Sequence, residues 1–131
     1  MAISDEKYIA FTTFRRSGEA VSTPTWVVPV SDGRVGFWTA MGSGKTKRLK
    51  NDPRVTLQAS DVRGRPKGGS PVVSGTAELV QSGRLFDEVH AQVREKYGLM
   101  AKVSKALGAL PMRRKNLTYA DTVVLVRLDA G

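Results

Sequence analysis

The chain has 131 residues, of which 40% are hydrophobic and 25% are charged, proportions typical of a globular fold. This length predicts one domain over residues 1–131, and the absence of cysteine excludes a disulfide framework, thiolate metal ligands and cysteine nucleophiles. The net charge of +9 favours a polyanionic partner: nucleic acid, an anionic lipid surface or a phosphate-bearing cofactor.

The first part of the chain predicts a short helix followed by three strands. Ser4 is the expected N-cap of the helix, and alternating apolar residues after it predict strands. In the second strand, Pro24 and Pro29 have no N–H group, which favours an edge or irregular position. The predicted ranges are 4–7 for the helix and 8–14, 20–30 and 34–40 for the strands.

The rest of the chain predicts more helix. A short basic helix ends before Pro53, and apolar residues at helical spacing predict an amphipathic helix further on. The predicted helices are 45–51, 82–97 and 99–107, and the predicted strands are 54–61, 72–80 and 119–128. Strands and helices do not alternate regularly, which argues against a doubly wound parallel sheet. The order predicts a mainly β fold with helical inserts, a small and mostly antiparallel barrel of about six strands.

The strongest functional signal is residues 39–48, Thr-Ala-Met-Gly-Ser-Gly-Lys-Thr-Lys-Arg. This segment places small residues, hydroxyl groups and cations between a predicted strand and a predicted helix. N–H groups at a helix N-terminus, with a lysine beside them, favour a bound phosphate. The tripeptide at 44–46 is not a P-loop, because that motif requires glycine at the position of Thr39.

Other kinds of chemistry have less support. His90 is the single histidine, so neither a metal site nor a catalytic triad is expected. Cations cluster at 45–50, 63–67 and 112–115, but no nucleic-acid-binding signature accompanies them, so nucleic acid is a less favoured partner. Hydride transfer with a flavin-like cofactor needs orientation more than acid–base residues, which suits this sequence. The polar N-terminus and the absence of a spanning apolar run predict a cytoplasmic protein with no membrane span.

Residues 45–55, Lys-Thr-Lys-Arg-Leu-Lys-Asn-Asp-Pro-Arg-Val, resemble a motif of the pyridoxamine 5′-phosphate oxidase-like split-barrel family. In that family a lysine opens a short helix, and Asp-Pro-Arg-Val leads into the next strand. The segments 11–13, 35–40 and 73–80 fit the same pattern. The resemblance implies a split β-barrel of the FMN-binding type and a homodimer with cofactor sites at the subunit interface. It is greatest to the actinobacterial-type branch that uses the deazaflavin coenzyme F420, with FMN as the alternative cofactor.

This resemblance implies an oxidoreductase that transfers a hydride from reduced F420 to a small conjugated organic acceptor. The alternatives are an FMN-binding oxidase or reductase, and a module that binds a cofactor, a haem-like pigment or nucleic acid without turnover. The proton that completes the reduction has three candidate sources: water, Tyr97 and Tyr119.

Site residues follow from the resemblance by position. Lys45 would pair with the cofactor phosphate, and Ser43, Gly44 and Thr46 would donate hydrogen bonds to it. Thr39 and Ala40 would line the phosphate and ribityl region, and Arg48 lies one turn further along the helix. Pro24, Thr25 and Trp26 would lie along the ring, with Gln58 nearby. The oligoglutamate tail of the deazaflavin would meet Arg63, Arg65 and Lys67.

Overall fold

The computed structural model of the protein describes residues 3–107 and 121–129, and its main element is an antiparallel sheet of seven strands. A turn of 3₁₀ helix at Ile3–Asp5 precedes the sheet. The strands are β1 (Tyr8–Phe14), β2 (Ala20–Thr25), β3 (Val28–Pro29), β4 (Val35–Thr39), β5 (Arg54–Ser60), β6 (Val72–Val80) and β7 (Thr122–Leu128). The helices are α1 (Gly44–Asn51) and α2 (Arg84–Leu107).

The order of strands across the sheet forces it to curl. Neighbours follow the order β2-β1-β5-β6-β7-β4-β3, so β2 and β3 lie at opposite edges. These two edge strands are nevertheless consecutive in the chain and are joined only by Trp26 and Val27. Because two residues span a short distance, the edges must approach each other, and the sheet closes into a split barrel with Trp26 at its seam.

The barrel interior is packed with apolar side chains. Phe11 and Phe37 meet edge to face at 4.8 Å between ring centroids, and Leu57 and Val55 are fully buried in the same cluster. Edge-to-face packing of aromatic rings is favourable beyond the area that it buries. This interior fixes β1, β4 and β5 relative to one another.

Helix α2 covers the outer face of part of the barrel. Its apolar stripe includes Val89, Val93 and Tyr97, which pack against β3 and β7. Gly36 of β4 permits close approach, because a Cβ atom there would lie 3.2 Å from a methyl group of Val89. Strand β7 is therefore buried on both faces, which explains why its sequence is an almost continuous apolar run instead of an alternating one.

Three predicted elements differ from the structure. The predicted helix 4–7, with Ser4 as its N-cap, is a turn of 3₁₀ helix at Ile3–Asp5 with Ser4 inside it, because the chain already extends into β1 from Tyr8. The predicted strand 20–30 is two strands, β2 and β3, because the chain crosses the seam at Trp26 instead of continuing along one edge. The predicted helices 82–97 and 99–107 form one helix, α2, which runs through Gly98. The predicted start of the last strand, at 119, and the basic cluster 112–115 lie outside the described residues. Among the helices that the structure describes, none combines the length and apolar character needed to cross a membrane.

Candidate functional site

The loop between β4 and α1 is held by its own hydroxyl groups. Ser43 is the N-cap of α1, and its Oγ accepts a hydrogen bond from the N–H of Thr46 at 3.4 Å. The Thr46 hydroxyl is fully buried and donates to carbonyl groups of the loop, including those of Met41 and Ser43. At the other side of the loop, the Asp121 carboxylate accepts from the Met41 N–H at 2.9 Å. The loop is thus fixed to the start of β7 before any ligand binds.

A cavity opens beside this loop, at the seam of the barrel, with a volume of about 140 Å³. We call it the aromatic cavity, because four of its nine lining residues are aromatic. It is lined by Tyr8, Pro24, Thr25, Trp26, Phe37, Trp38, Thr39, Lys45 and Val62. Five of these nine residues were predicted from the sequence to bind the cofactor: Pro24, Thr25, Trp26, Thr39 and Lys45.

Lys45 brings a positive charge to the aromatic cavity. Among the described residues its ammonium group has no ion-pair or hydrogen-bond partner. Partial burial lowers the pKa of Lys45 below its ordinary value of 10.5, and the nearby Arg48 guanidinium lowers the pKa further. A partly desolvated cation without a counterion binds an anion favourably, because the anion restores the lost interaction.

The aromatic wall is braced from behind by α2. The Trp26 and Tyr97 rings are stacked, with centroids 4.4 Å apart and planes within 5° of parallel. The centroid of the Trp38 ring lies 6.0 Å from that of Trp26. The Tyr97 hydroxyl accepts from the Val27 N–H at 3.1 Å and donates towards the Lys7 carbonyl oxygen at 2.8 Å. Burial raises the pKa of Tyr97 to about 12. The Tyr97 hydroxyl is bonded to the main chain, and Tyr97 is not among the residues that line the cavity. The contact of Tyr97 with the site is therefore the packing of its ring against Trp26. The other candidate proton donor, Tyr119, lies outside the described residues.

A buried hydroxyl group without a hydrogen-bond partner among the described residues lies beside the aromatic rings of the wall. The Oγ1 atoms of Thr23 and Thr25 are buried, and neither has a hydrogen-bond partner among the described residues. Both threonines lie on the barrel-facing side of β2, opposite Phe11 and Ile9 respectively, and Thr25 lines the aromatic cavity. An unsatisfied buried hydroxyl costs free energy that a polar atom of a ligand, or a water molecule, would recover.

The remaining predicted site residues lie beside the cavity or apart from it. Ser43, Gly44, Thr46 and Ala40 form the adjoining loop, where the Ala40 carbonyl accepts from the Ser43 N–H. Arg48 is directed to β1 instead, with its Nε donating to the Thr13 hydroxyl.

Gln58 lies in the middle of the sheet. It faces Ala10 of β1 and Val72 of β6 in the sheet register, and its side-chain amide donates to the Ser70 carbonyl at 3.0 Å. The structure therefore does not bring Gln58 to the cavity.

Four residues of the aromatic cavity were missed by the sequence prediction: Tyr8, Phe37, Trp38 and Val62. Trp38 is adjacent to Thr39, and this proximity to the predicted site was a usable signal. No local pattern places Val62, which lies in a turn ordered by the Asp61 carboxylate accepting from the N–H groups of Arg63 and Arg65. That turn packs against β2, since a Cβ atom on Gly64 would lie 3.1 Å from Pro24.

The fold and the site together define a class of protein, the split-barrel proteins with a cationic cavity at the seam. The chain belongs to the pyridoxamine 5′-phosphate oxidase family, whose sequence profile matches residues 2–123. This match and the sheet topology confirm the predicted family and the predicted barrel. A comparison with curated proteins finds no match.

Solved structures show the same fold at low sequence identity. A protein of unknown function from Agrobacterium tumefaciens is 21% identical with a TM-score of 0.58, and the match covers 95% of this chain but 49% of that one. An F420 reductase is 15% identical with a TM-score of 0.63, covering 98% and 91%. HutZ, the heme storage protein from Vibrio cholerae, is 16% identical with a TM-score of 0.64, covering 98% and 86%. These identities establish the fold alone, and this chain spans about half the length of the Agrobacterium protein.

Proposed function

We propose that the protein binds the deazaflavin coenzyme F420 in the aromatic cavity and catalyses hydride transfer to a small conjugated organic acceptor. The observation that carries this proposal is Lys45, a half-buried cation at the edge of an aromatic wall, with no counterion among the residues that the structure describes. A phosphate satisfies the ammonium group, and a planar ring system stacks on the wall. Similarity to an F420 reductase supports the choice of cofactor.

The residues present fit the phosphate and the ring of such a cofactor, the rest of which would extend beyond the cavity of about 140 Å³. The Lys45 ammonium group and the N–H groups of Gly44 and Lys45 would hold the phosphate, because these two N–H groups have no intrahelical acceptor. The N–H of Thr46 is already bonded to the Ser43 Oγ. Trp26, Trp38 and Pro24 would contact the ring, and the Thr25 hydroxyl is available to a polar ring atom. The protein would thus contribute binding and orientation.

A basic loop beside the cavity suits an acidic extension of the cofactor. The turn that carries Val62 also carries Arg63, Arg65 and Lys67. Arg65 pairs with Asp61, and Lys67 pairs with Glu6, so the loop is preorganised by its own ion pairs. Arg63 is exposed and makes no ion pair among the described residues, which leaves its guanidinium for the oligoglutamate tail.

When bound, the deazaflavin supplies the hydride, and the acceptor gains that hydride together with one proton from water. The rigid aromatic wall would hold ring and acceptor face to face, and such orientation contributes a large part of the rate in two-substrate reactions. The aromatic rings of the wall would also exclude water from the reacting faces. The protein is also proposed to form a homodimer, so its mass in sedimentation velocity should be twice that of the chain.

Tryptophan fluorescence tests the proposal at this cavity, because the chain has two tryptophans and both line it. Titration with oxidised F420 is expected to quench the fluorescence with a micromolar or tighter Kd. Trp38→Phe should leave quenching that arises from Trp26 alone, and reduced F420 should be consumed when a panel of quinones and enones is added.

Parallel titrations with FMN and with haem separate the alternatives. FMN carries a phosphate that also fits Lys45, and tighter binding of FMN than of F420 would assign the protein to the flavin-using members. Tight binding of haem with no consumption of reduced F420 would instead indicate storage without turnover. Binding of none of the three would refute a cofactor role for the aromatic cavity.

A further inference from the structure

A second cavity lies next to α1 and shares no lining residue with the aromatic cavity. We call it the basic cavity; it has a volume of about 300 Å³ and is lined by Phe14, Arg15, Arg16, Lys47, Arg48 and Asn51. Four of these six residues are cations, and none is acidic. Its volume lies at the lower end of the range for small-molecule sites, about 300–1,000 Å³.

Tertiary structure creates this cavity from two segments that are distant in the sequence. Arg15 and Arg16 belong to the turn after β1, which is closed by an Arg15 N–H bond to the Glu19 carbonyl at 2.9 Å. Lys47 and Asn51 lie on α1, four residues apart and so one turn apart on the same face. The Arg48 Nε donates to the Thr13 hydroxyl, which fixes α1 to the end of β1. The backbone around the cavity is therefore held in place without a ligand.

The positive charge of the cavity is poorly compensated within the protein. Arg15 makes an exposed ion pair with Glu19 at 3.0 Å. Arg16, Lys47 and Arg48 have no acidic partner among the described residues. Burial and the nearby Arg15 both lower the pKa of Arg48, so like charges repel one another in the free protein. An anion in the basic cavity would relieve this repulsion.

We propose that the basic cavity is a binding site for an oligophosphate, a ligand with two or more linked phosphate groups. Arginine forms paired hydrogen bonds to phosphate oxygens, and lysine adds a mobile charge. The Asn51 amide provides an uncharged donor, and none of the described lining residues carries a carboxylate that would repel the ligand. A chain of phosphates matches four cations better than a single phosphate does, because its charge is larger.

Calorimetric titration of the full chain tests this site, with inorganic tripolyphosphate as the probe. The double variant Arg16→Gln/Lys47→Gln removes two exposed cations that have no ion-pair partner in the part of the chain that the structure describes, so folding should be unaffected. We expect this variant to bind tripolyphosphate at least about tenfold more weakly, equivalent to about 1.4 kcal/mol. The matched control is Lys50→Gln, an exposed lysine on the same helix that lines neither cavity. It should bind tripolyphosphate like the original protein.

Further titrations identify the source of the phosphates. ATP binding tighter than tripolyphosphate indicates a nucleotide, and equal binding indicates that the phosphate chain alone is recognised; both support the site. Absence of saturable tripolyphosphate binding would overturn the proposal. Equal weakening of binding by Lys50→Gln would also overturn it, since the loss of affinity would then be due to net charge. Weaker F420 binding by the double variant would assign the cluster to the acidic tail of the cofactor and would also overturn it. Tighter binding of a single-stranded oligonucleotide than of tripolyphosphate would overturn it in favour of nucleic acid.

Discussion

Replacing Lys45 by glutamine removes the positive charge of the aromatic cavity while it keeps a long polar side chain. Lys45 is the one charged residue among the described residues that line this cavity. A hydrogen bond between charged groups contributes about 1.5–3 kcal/mol. At about 1.4 kcal/mol for each tenfold change in Kd, Lys45→Gln should weaken F420 binding by roughly 10- to 100-fold. Quenching of Trp26 and Trp38 fluorescence measures this affinity at the site itself.

The same substitution should not destabilise the protein. Burial and Arg48 lower the pKa of Lys45, which means that folding disfavours its charged form. When the pKa of a group is lower in the folded than in the unfolded state, the free energy of unfolding rises with pH as the group loses its proton. The Lys45→Gln variant has no such group, so this pH dependence should be absent from it. The free energy of unfolding at neutral pH, measured by chemical denaturation, should therefore be unchanged or slightly higher.

The control for both measurements is Lys50→Gln, which removes an exposed charge from the same helix. It should change F420 affinity by less than about twofold. Unchanged F420 affinity in Lys45→Gln would exclude Lys45 from the phosphate site. A parallel loss of affinity and stability would show that the lysine has a structural role, and the reasoning from its missing counterion would be refuted.

Three further predictions concern the same structure. F420 affinity should fall as pH rises through the lowered pKa of Lys45, because only its ammonium form attracts phosphate; Lys45→Arg should keep the affinity at higher pH, and titrations across alkaline pH check this. Tyr97→Phe leaves the Val27 N–H and a carbonyl group without their buried partner and should reduce unfolding free energy by about 1–3 kcal/mol; denaturation with no measurable loss would contradict this reading. Gly75→Ala brings a Cβ atom within 2.7 Å of a backbone oxygen and should cost about 1–3 kcal/mol, whereas Gly68→Ala, with open space around it, should be neutral in the same denaturation assay.

Much of the candidate site was predictable because its signals are local. The change from an apolar strand to Ser43, Gly44 and a run of cations predicts a helix start with phosphate-binding character, and the structure has Ser43 as the N-cap. The resemblance to the family placed Pro24, Thr25 and Trp26 in the site, and these residues line the same cavity as Lys45. Whether they bind a cofactor remains a prediction.

Other features were not predictable because they depend on contacts between distant segments. The β pattern of residues 20–30 continues across Trp26, and no local signal shows that the chain passes there from one sheet edge to the other. Gly98 suggested a break between two helices. The helix continues through Gly98, because one glycine costs only about 1 kcal/mol in a helix interior and does not by itself end a helix.

The sequence by itself determined most of the strands, the start of α1, the basic character and the family, since each follows from residue types at fixed short spacing. Only the tertiary structure decided that Tyr97 stacks behind Trp26, that Arg48 bonds to Thr13, and that Arg15 and Lys47 line one cavity. The physical reason is the closure of the sheet: strand pairing and barrel curvature bring together side chains tens of residues apart, and their charges and hydrogen bonds interact only once the barrel has formed.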